Sequence, residues 1–164
     1  MENPMSWFEA DSYCKSLGAK LAEIDSEEEN AVIVEEINRG GYKDREMYFW
    51  IGLTDKDKER TWKLASNGSG AVFLNWDDKT KEPNNNGNED CAHIRAGGCS
   101  EWDHSGWADL DCDKTMVAIT CSNVGTEVQF SMNALCEFES LESNRKDAET
   151  ETGANLEKVV FIKA

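Results

Sequence analysis

The sequence predicts an α+β fold in which two helices come first and a set of short strands follows, stabilised by disulfides. Two serine capping boxes, each ahead of apolar residues at helical spacing, lie before Tyr48. From Tyr48 onward the chain changes to short pieces rich in aromatic and β-branched residues. Six cysteines in 164 residues point to disulfides and so to an oxidising compartment.

Ser6-Trp7-Phe8-Glu9 is the first capping box, and behind it Trp7, Ala10, Cys14 and Leu17 recur at helical spacing up to a stop at Gly18. This places Cys14 on the inner face of a first amphipathic helix. Leu21 to Ile24 reads as a strand. Ser26 to Glu29 opens a second helix through Ile33, Val34 and Ile37, ending at Gly40-Gly41. The strand-like pieces that follow are Tyr48–Leu53, Arg60–Lys63 and Val72–Trp76. The six tryptophans could be taken for a ligand-stacking set, but most read as core, because a loop-rich domain needs large apolar bodies to bury enough surface. After Phe138 the composition turns polar and charged. Residues 1–138 therefore read as the folded domain and 139–164 as a flexible acidic tail. Val159-Val160-Phe161-Ile162 within it is too short to cross a bilayer and reads as a stray apolar end or an aggregation hazard.

The net charge of -16, from 33 acidic and 17 basic residues, repels nucleic acid and anionic membranes, and no basic patch offsets it. Multivalent cations are the natural counterparts of such a surface. Asn67-Gly68-Ser69 is an N-glycosylation sequon, which agrees with a secreted chain. The N-terminus has neither the basic region nor the apolar run of a signal peptide, and no stretch is long enough to span a membrane. The expectation is a fragment, or a true start upstream.

The chemistry concentrates between Glu82 and Cys112. Glu82, Asn84, Asn85, Asn86, Asn88, Glu89 and Asp90 crowd oxygen donors onto a loop whose sole apolar side chain is Pro83, and Cys91 closes it. Carboxylates and amide carbonyls suit Ca²⁺, which takes about six to eight oxygens, whereas Zn²⁺ wants imidazole and thiolate. A cis Glu82–Pro83 bond would turn Glu82 and Asn84 to one side, where both oxygens could share an ion. An EF-hand is excluded: with Gly87 sixth, Glu82 stands first and His93 twelfth, so the bidentate ligand is missing. Cys91, His93, Cys99, His104 and Cys112 have no recognised zinc spacing. The plainer reading is an Asn/Gly surface loop without an ion, and composition alone does not decide against it.

The surrounding motifs do. Cys14 followed by Gly18-Ala19-Lys20-Leu21-Ala22-Glu23-Ile24, then Trp50-Ile51-Gly52-Leu53, Glu82-Pro83-Asn84, Glu89-Asp90-Cys91, Trp107-Ala108-Asp109 with Cys112, and Ala134-Leu135-Cys136-Glu137-Phe138 occur in the order of a known family. Over residues 5–138 the chain resembles a C-type lectin-like domain of the mannose-type Glu-Pro-Asn kind. The resemblance implies two helices flanking antiparallel sheets with a long Ca²⁺-binding loop region. The family's opening strand, which pairs with the C-terminal strand, is missing, as in an N-terminally truncated chain.

Carried over residue by residue, the resemblance implies a principal Ca²⁺ and sugar site at Glu82, Asn84, Glu89 and Asp109, with Ala108 where the family has a fifth ligand, asparagine. It implies an auxiliary Ca²⁺ site at Asp55, Glu59, Asn85, Glu89 and Asp90. The sugar's vicinal hydroxyls would ligate the principal ion, and Glu-Pro-Asn goes with mannose-type equatorial pairs, as Gln-Pro-Asp does with galactose. Ala108 removes one oxygen and one amide donor, so weaker binding is expected. Six cysteines allow 15 pairings. The resemblance implies Cys14 with Cys136 and Cys91 with Cys112, leaving Cys99 with Cys121; the rival has Cys121 as partner of Cys14. The implied function is a secreted Ca²⁺-dependent lectin whose partners are mannose-type glycans, not an enzyme. The alternatives are a domain of this fold that has lost sugar binding and contacts a protein or other surface, and a carboxylate-pair hydrolase, which would need a deep pocket.

Overall fold

The hydroxyl of Ser6 accepts the Glu9 amide while the Glu9 carboxylate accepts the Ser6 amide, and these reciprocal bonds start α1 (Trp7–Ser16). Gly18, at φ 72°, lets the chain turn back, with the Ala19 amide reaching the Cys14 carbonyl at 2.9 Å. In this computed structural model the described residues are 4–37, 39, 45–96, 106–115, 119–120, 132–137 and 159–162; at 36, 45–47, 96, 119–120, 132–137 and 159–162 the backbone alone is described.

The elements that follow are β1 (Lys20–Leu21), α2 (Glu27–Ile37), β2 (Arg45–Thr54), β3 (Lys63–Leu64), β4 (Cys91–Ala96), β5 (Trp107–Leu110), β6 (Ile119–Thr120), β7 (Met132–Glu137) and β8 (Val159–Ile162). The second capping serine works as expected, since the Glu29 amide donates to the Ser26 hydroxyl at 3.2 Å. The sheet runs β1-β7-β2-β4-β5, with β3 and β6 also on β2 and β8 on β7. Its pairs are antiparallel except β2 with β7, which is parallel. Gly52 in β2 sits where a Cβ would lie 2.8 Å from the Glu23 side chain and 2.9 Å from the Leu21 carbonyl, so the backbone beside β1 admits no side chain.

The core has two halves. One gathers Ile33, Ile37, Phe49, Ile51, Leu53, Trp62, Ala92, Ile94 and Trp107; the other gathers Met5, Trp7, Ala10, Cys14, Leu21, Tyr48, Trp50, Cys91 and Cys112. Trp7, Trp50, Trp62 and Trp107 are buried, in line with a core role for most of the tryptophans, while Trp102 lies outside the described residues.

Three sequence expectations are corrected. Val72–Trp76 is not a strand: only Trp76 makes an isolated bridge, to Trp107, and Val72 is 81% exposed. Its aromatic residues serve packing instead, with Phe73 and Trp76 edge-on to Trp107. The strand expected over Arg60–Lys63 is instead the short β3, Lys63–Leu64. Val159–Ile162, expected within a flexible tail, pairs as β8 with Ala134–Glu137, because its four β-branched and aromatic residues suit an extended ladder.

Candidate metal and ligand site

The loop that carries the oxygen donors hangs between two fixed points. At one end Cys91 is bonded to Cys112, joining β4 to the chain after β5. This bond removes both thiols from any zinc set and matches the implied pairing. Cys14 is also disulfide-bonded, whereas the Cys136 side chain, Cys99, Cys121 and His104 lie outside the described residues. The β7 backbone nevertheless sets Cys136 beside Leu21. At the other end the Trp107 amide donates to the Asn75 carbonyl at 2.7 Å, and the Asp77 amide to the Trp107 carbonyl at 2.9 Å.

Between these anchors the Glu82–Pro83 peptide is cis. The Asn84 amide group donates to Glu82 Oε2 at 2.7 Å, so the two side chains do meet. Asp109, buried on β5, accepts the backbone N–H of Asn84 on Oδ1 and that of Asn85 on Oδ2, each at 2.9 Å. The Asn85 side chain spans the loop, donating to Glu59 Oε2 at 2.6 Å and accepting from the Glu89 amide at 3.0 Å. Glu89 Oε2 accepts the Asn86 amide at 2.8 Å, and Asn88 donates to Asp90 Oδ2 at 2.9 Å.

One oxygen of each of Asp55, Glu59 and Asp90 lies within 4.8 Å of the others, the one such trio among the described residues. Asp55 is 2% exposed; its Oδ2 accepts the Arg60 amide at 2.7 Å, but its Oδ1 is buried with no hydrogen-bond partner. A buried carboxylate oxygen without a donor is costly unless a cation faces it. Burial, then the charges of Glu59, Asp90 and Asp109, raise the Asp55 carboxyl above its usual range, against the Arg60 amide. This set fits Ca²⁺ in donor type and in its unmet demand for positive charge.

The set Glu82, Asn84, Glu89 and Asp109 differs. It has the right donors, but the oxygens of Glu82 and Asp109 already accept hydrogen bonds within the protein. Glu82 Oε1 accepts from Arg95 Nη2 at 3.2 Å, and both Asp109 oxygens hold backbone amides. As it stands this set does not fit an ion. Burial, followed by the contact with Asp109, pushes the Glu82 carboxyl up to about 7 against the pull of Arg95. Burial likewise raises Glu89, helped by Asp109 and Asp111. Ala108 is fully buried opposite His93, whose imidazole burial and Arg95 hold near 3 and therefore neutral. The sequence reading missed Arg95. It could have been found as the one Lys or Arg between Cys91 and Cys112, two residues past His93 on the same face of β4.

Asn67 stands exposed in a turn, its side chain accepting the Ser69 amide at 2.8 Å, so the sequon is accessible.

The family described as "Lectin C-type domain" matches residues 3–123. "Hepatic lectin" of Gallus gallus is 34% identical over 110 residues, 66% of this chain and 45% of that protein. "C-type lectin BfL-2" of Bungarus fasciatus is 32% identical over 117 residues, 68% of this chain and 66% of that one. The chain spans less than half of the hepatic lectin and, at 45%, of mouse "CD209 antigen-like protein D". Among solved structures, the "Mouse Scavenger Receptor C-type Lectin carbohydrate-recognition domain" superposes with a TM-score of 0.55 at 30% identity, covering 70% of this chain and 77% of that one.

Proposed function

Since the chain belongs to the Lectin C-type domain family, which its residues 3–123 match, we propose that it is a Ca²⁺-dependent carbohydrate-binding module with mannose-type preference, acting outside the cell and not as an enzyme. Asp55, Glu59 and Asp90 would hold the ion, with Asn85 and Glu89 at its edge. The ion supplies positive charge that draws their carboxylates together. The loop from Glu82 to Asp90, held by Asp109, would then present Glu82 and Asn84 to vicinal hydroxyls. The observation that carries this reading is the unpartnered, buried Asp55 Oδ1 inside a converged acidic trio. A cysteine-rich composition and an accessible sequon at Asn67 support an extracellular setting with a glycan at that position. No described helix is long and apolar enough to cross a membrane.

Binding to the native state alone adds RT ln(1 + [L]/Kd), so millimolar Ca²⁺ should raise the melting temperature by several degrees and chelator should reverse it. A glycan array read with and without chelator then tests the sugar. Signal on mannose-type glycans that vanishes with chelator supports the proposal, and a melting curve indifferent to Ca²⁺ contradicts it. Ala108 and the Arg95 contact to Glu82 favour a second reading, a domain of this fold that recognises a protein. An array silent on every glycan, from a protein that still binds Ca²⁺, would select it.

Acidity should matter more than ordinary carboxylates would make it. Asp55 and Glu89, both raised by burial, hold protons that a cation at the trio must displace, so Ca²⁺ affinity is expected to fall as pH drops. The cation-free fold runs the other way. Glu82 binds its proton more tightly folded than unfolded, so its contribution is complete below about 4.5 and lost as pH rises through about 7. Melting curves with and without Ca²⁺ should diverge as pH rises through that window, and parallel curves would contradict the assignment.

A further inference from the structure

We propose that Arg95 is a built-in competitor for the cation at Glu82, holding the mannose-type half of the site closed with its own positive charge. This rests on the calcium reading above and deepens it. The guanidinium is held from several sides. Nη2 reaches Glu82 Oε1 at 3.2 Å, Nη1 reaches Asp77 Oδ2 at 3.7 Å and Thr80 Oγ1 at 3.4 Å, and Nε faces His93 Nε2 at 3.4 Å. Its side chain is 17% exposed, and those of Glu82 and Asp77 are 4% and 5%. This is a buried ion pair with a planar fork, and arginine keeps its charge at every working pH. His93, held neutral, adds no second charge.

The other oxygen of Glu82 is bonded to Asn84, so both are occupied by donors from the chain. A divalent ion that uses Glu82 must displace the guanidinium or lie beside it, and either lowers affinity. Ala108, paired with His93 across the sheet and fully buried, offers no oxygen that could offset this. The positive charge that the acidic loop needs is thus provided by the chain at Glu82 and left unprovided at Asp55, where the oxygen is orphaned.

The test is Arg95→Met, which keeps a similar apolar stem, with Arg95→Lys as the charge-preserving control. Both are made in the wild type and in an Asp55→Asn background that silences the other cluster. Calorimetric Ca²⁺ titration and ion-free melting are read for each. Arg95→Met is expected to bind Ca²⁺ about tenfold more tightly in the Asp55→Asn background, because a like charge has been removed from beside the ion. Its ion-free form should melt several degrees lower, since Glu82 loses its positive partner. Arg95→Lys should stay near wild-type affinity. Equal or weaker Ca²⁺ binding by Arg95→Met, with wild type still binding at Asp55, overturns this inference alone. Tightening by Arg95→Lys as large as by Arg95→Met also overturns it, because packing and not charge would then be the cause. No calcium heat from wild type or any variant overturns both this inference and the calcium reading.

Discussion

Replacing Trp107 with alanine is expected to cost about 3–5 kcal/mol, read as a loss of the urea midpoint and a fall in melting temperature of about 10 °C or more. The side chain is 1% exposed and stands where three parts of the chain meet. Its indole N–H donates to Asn30 Oδ1 at 2.8 Å, tying β5 to α2 across a sequence separation of 77. Phe73 and Trp76 pack edge-on to it at centroid distances of 5.6 and 6.1 Å. Alanine opens a cavity between the helix and the segment that leads into the oxygen loop, and it leaves Asn30 Oδ1 without that donor. Trp107→Phe fills most of the space and loses only the hydrogen bond, so about 1–2 kcal/mol is expected. If Trp107→Ala melts within a degree or two of wild type, the centre of the core has been assigned to the wrong residue.

Asp109→Ala should cost about 3 kcal/mol and abolish the calcium response together. Two opposing terms decide this. Asp109's charge is among the causes that raise Asp55, Glu82 and Glu89, so its removal relieves repulsion. It also removes both acceptors for the Asn84 and Asn85 amides, and hydrogen bonds to a charged group contribute about 1.5–3 kcal/mol each. The hydrogen bonds win, because the repulsion is divided among three separate groups while both amides belong to the turn that holds the loop. Asn85 is the link to calcium: freed from Asp109, it no longer sets its side chain between Glu59 and Glu89. Asp109→Asn keeps one acceptor and should fall between wild type and alanine. An Asp109→Ala protein that still gains several degrees from Ca²⁺ would show that the Asp55 cluster works without the Glu82 loop.

What was legible in the sequence was local or tied to a motif. The Ser6–Glu9 box and Gly18 fix the ends of α1 through neighbours a few residues apart, and Cys91 with Cys112 flank strands that pair directly. The oxygen donors were legible as a set because each ligand type declares itself. Their partition was not. Nothing in Glu82-Pro83-Asn84 reveals that a guanidinium from the neighbouring strand takes one of its oxygens, since that depends on the strand face Arg95 shares with His93. Val72–Trp76 misled because an aromatic-rich run satisfies strand propensity and tryptophan packing alike, and only ladder partners separate them. The β8 pairing could not be foreseen, because Val159–Ile162 has no periodicity to place it against a strand more than ~20 residues earlier.

The docking of α1 has a consequence for how the chain is made. Trp7 donates its backbone N–H to the Cys112 carbonyl and its indole N–H to Ile51, and the Trp50 indole donates to the Met5 carbonyl. Helix α1 therefore lacks these partners until roughly 100 further residues have been added, and its packing against β7 comes later still. At about 5–20 residues per second that wait lasts about 5–20 s. Through it, the apolar face of Trp7 and Ala10 stays uncovered, and α1 and β1 alike wait for β7 to complete their packing.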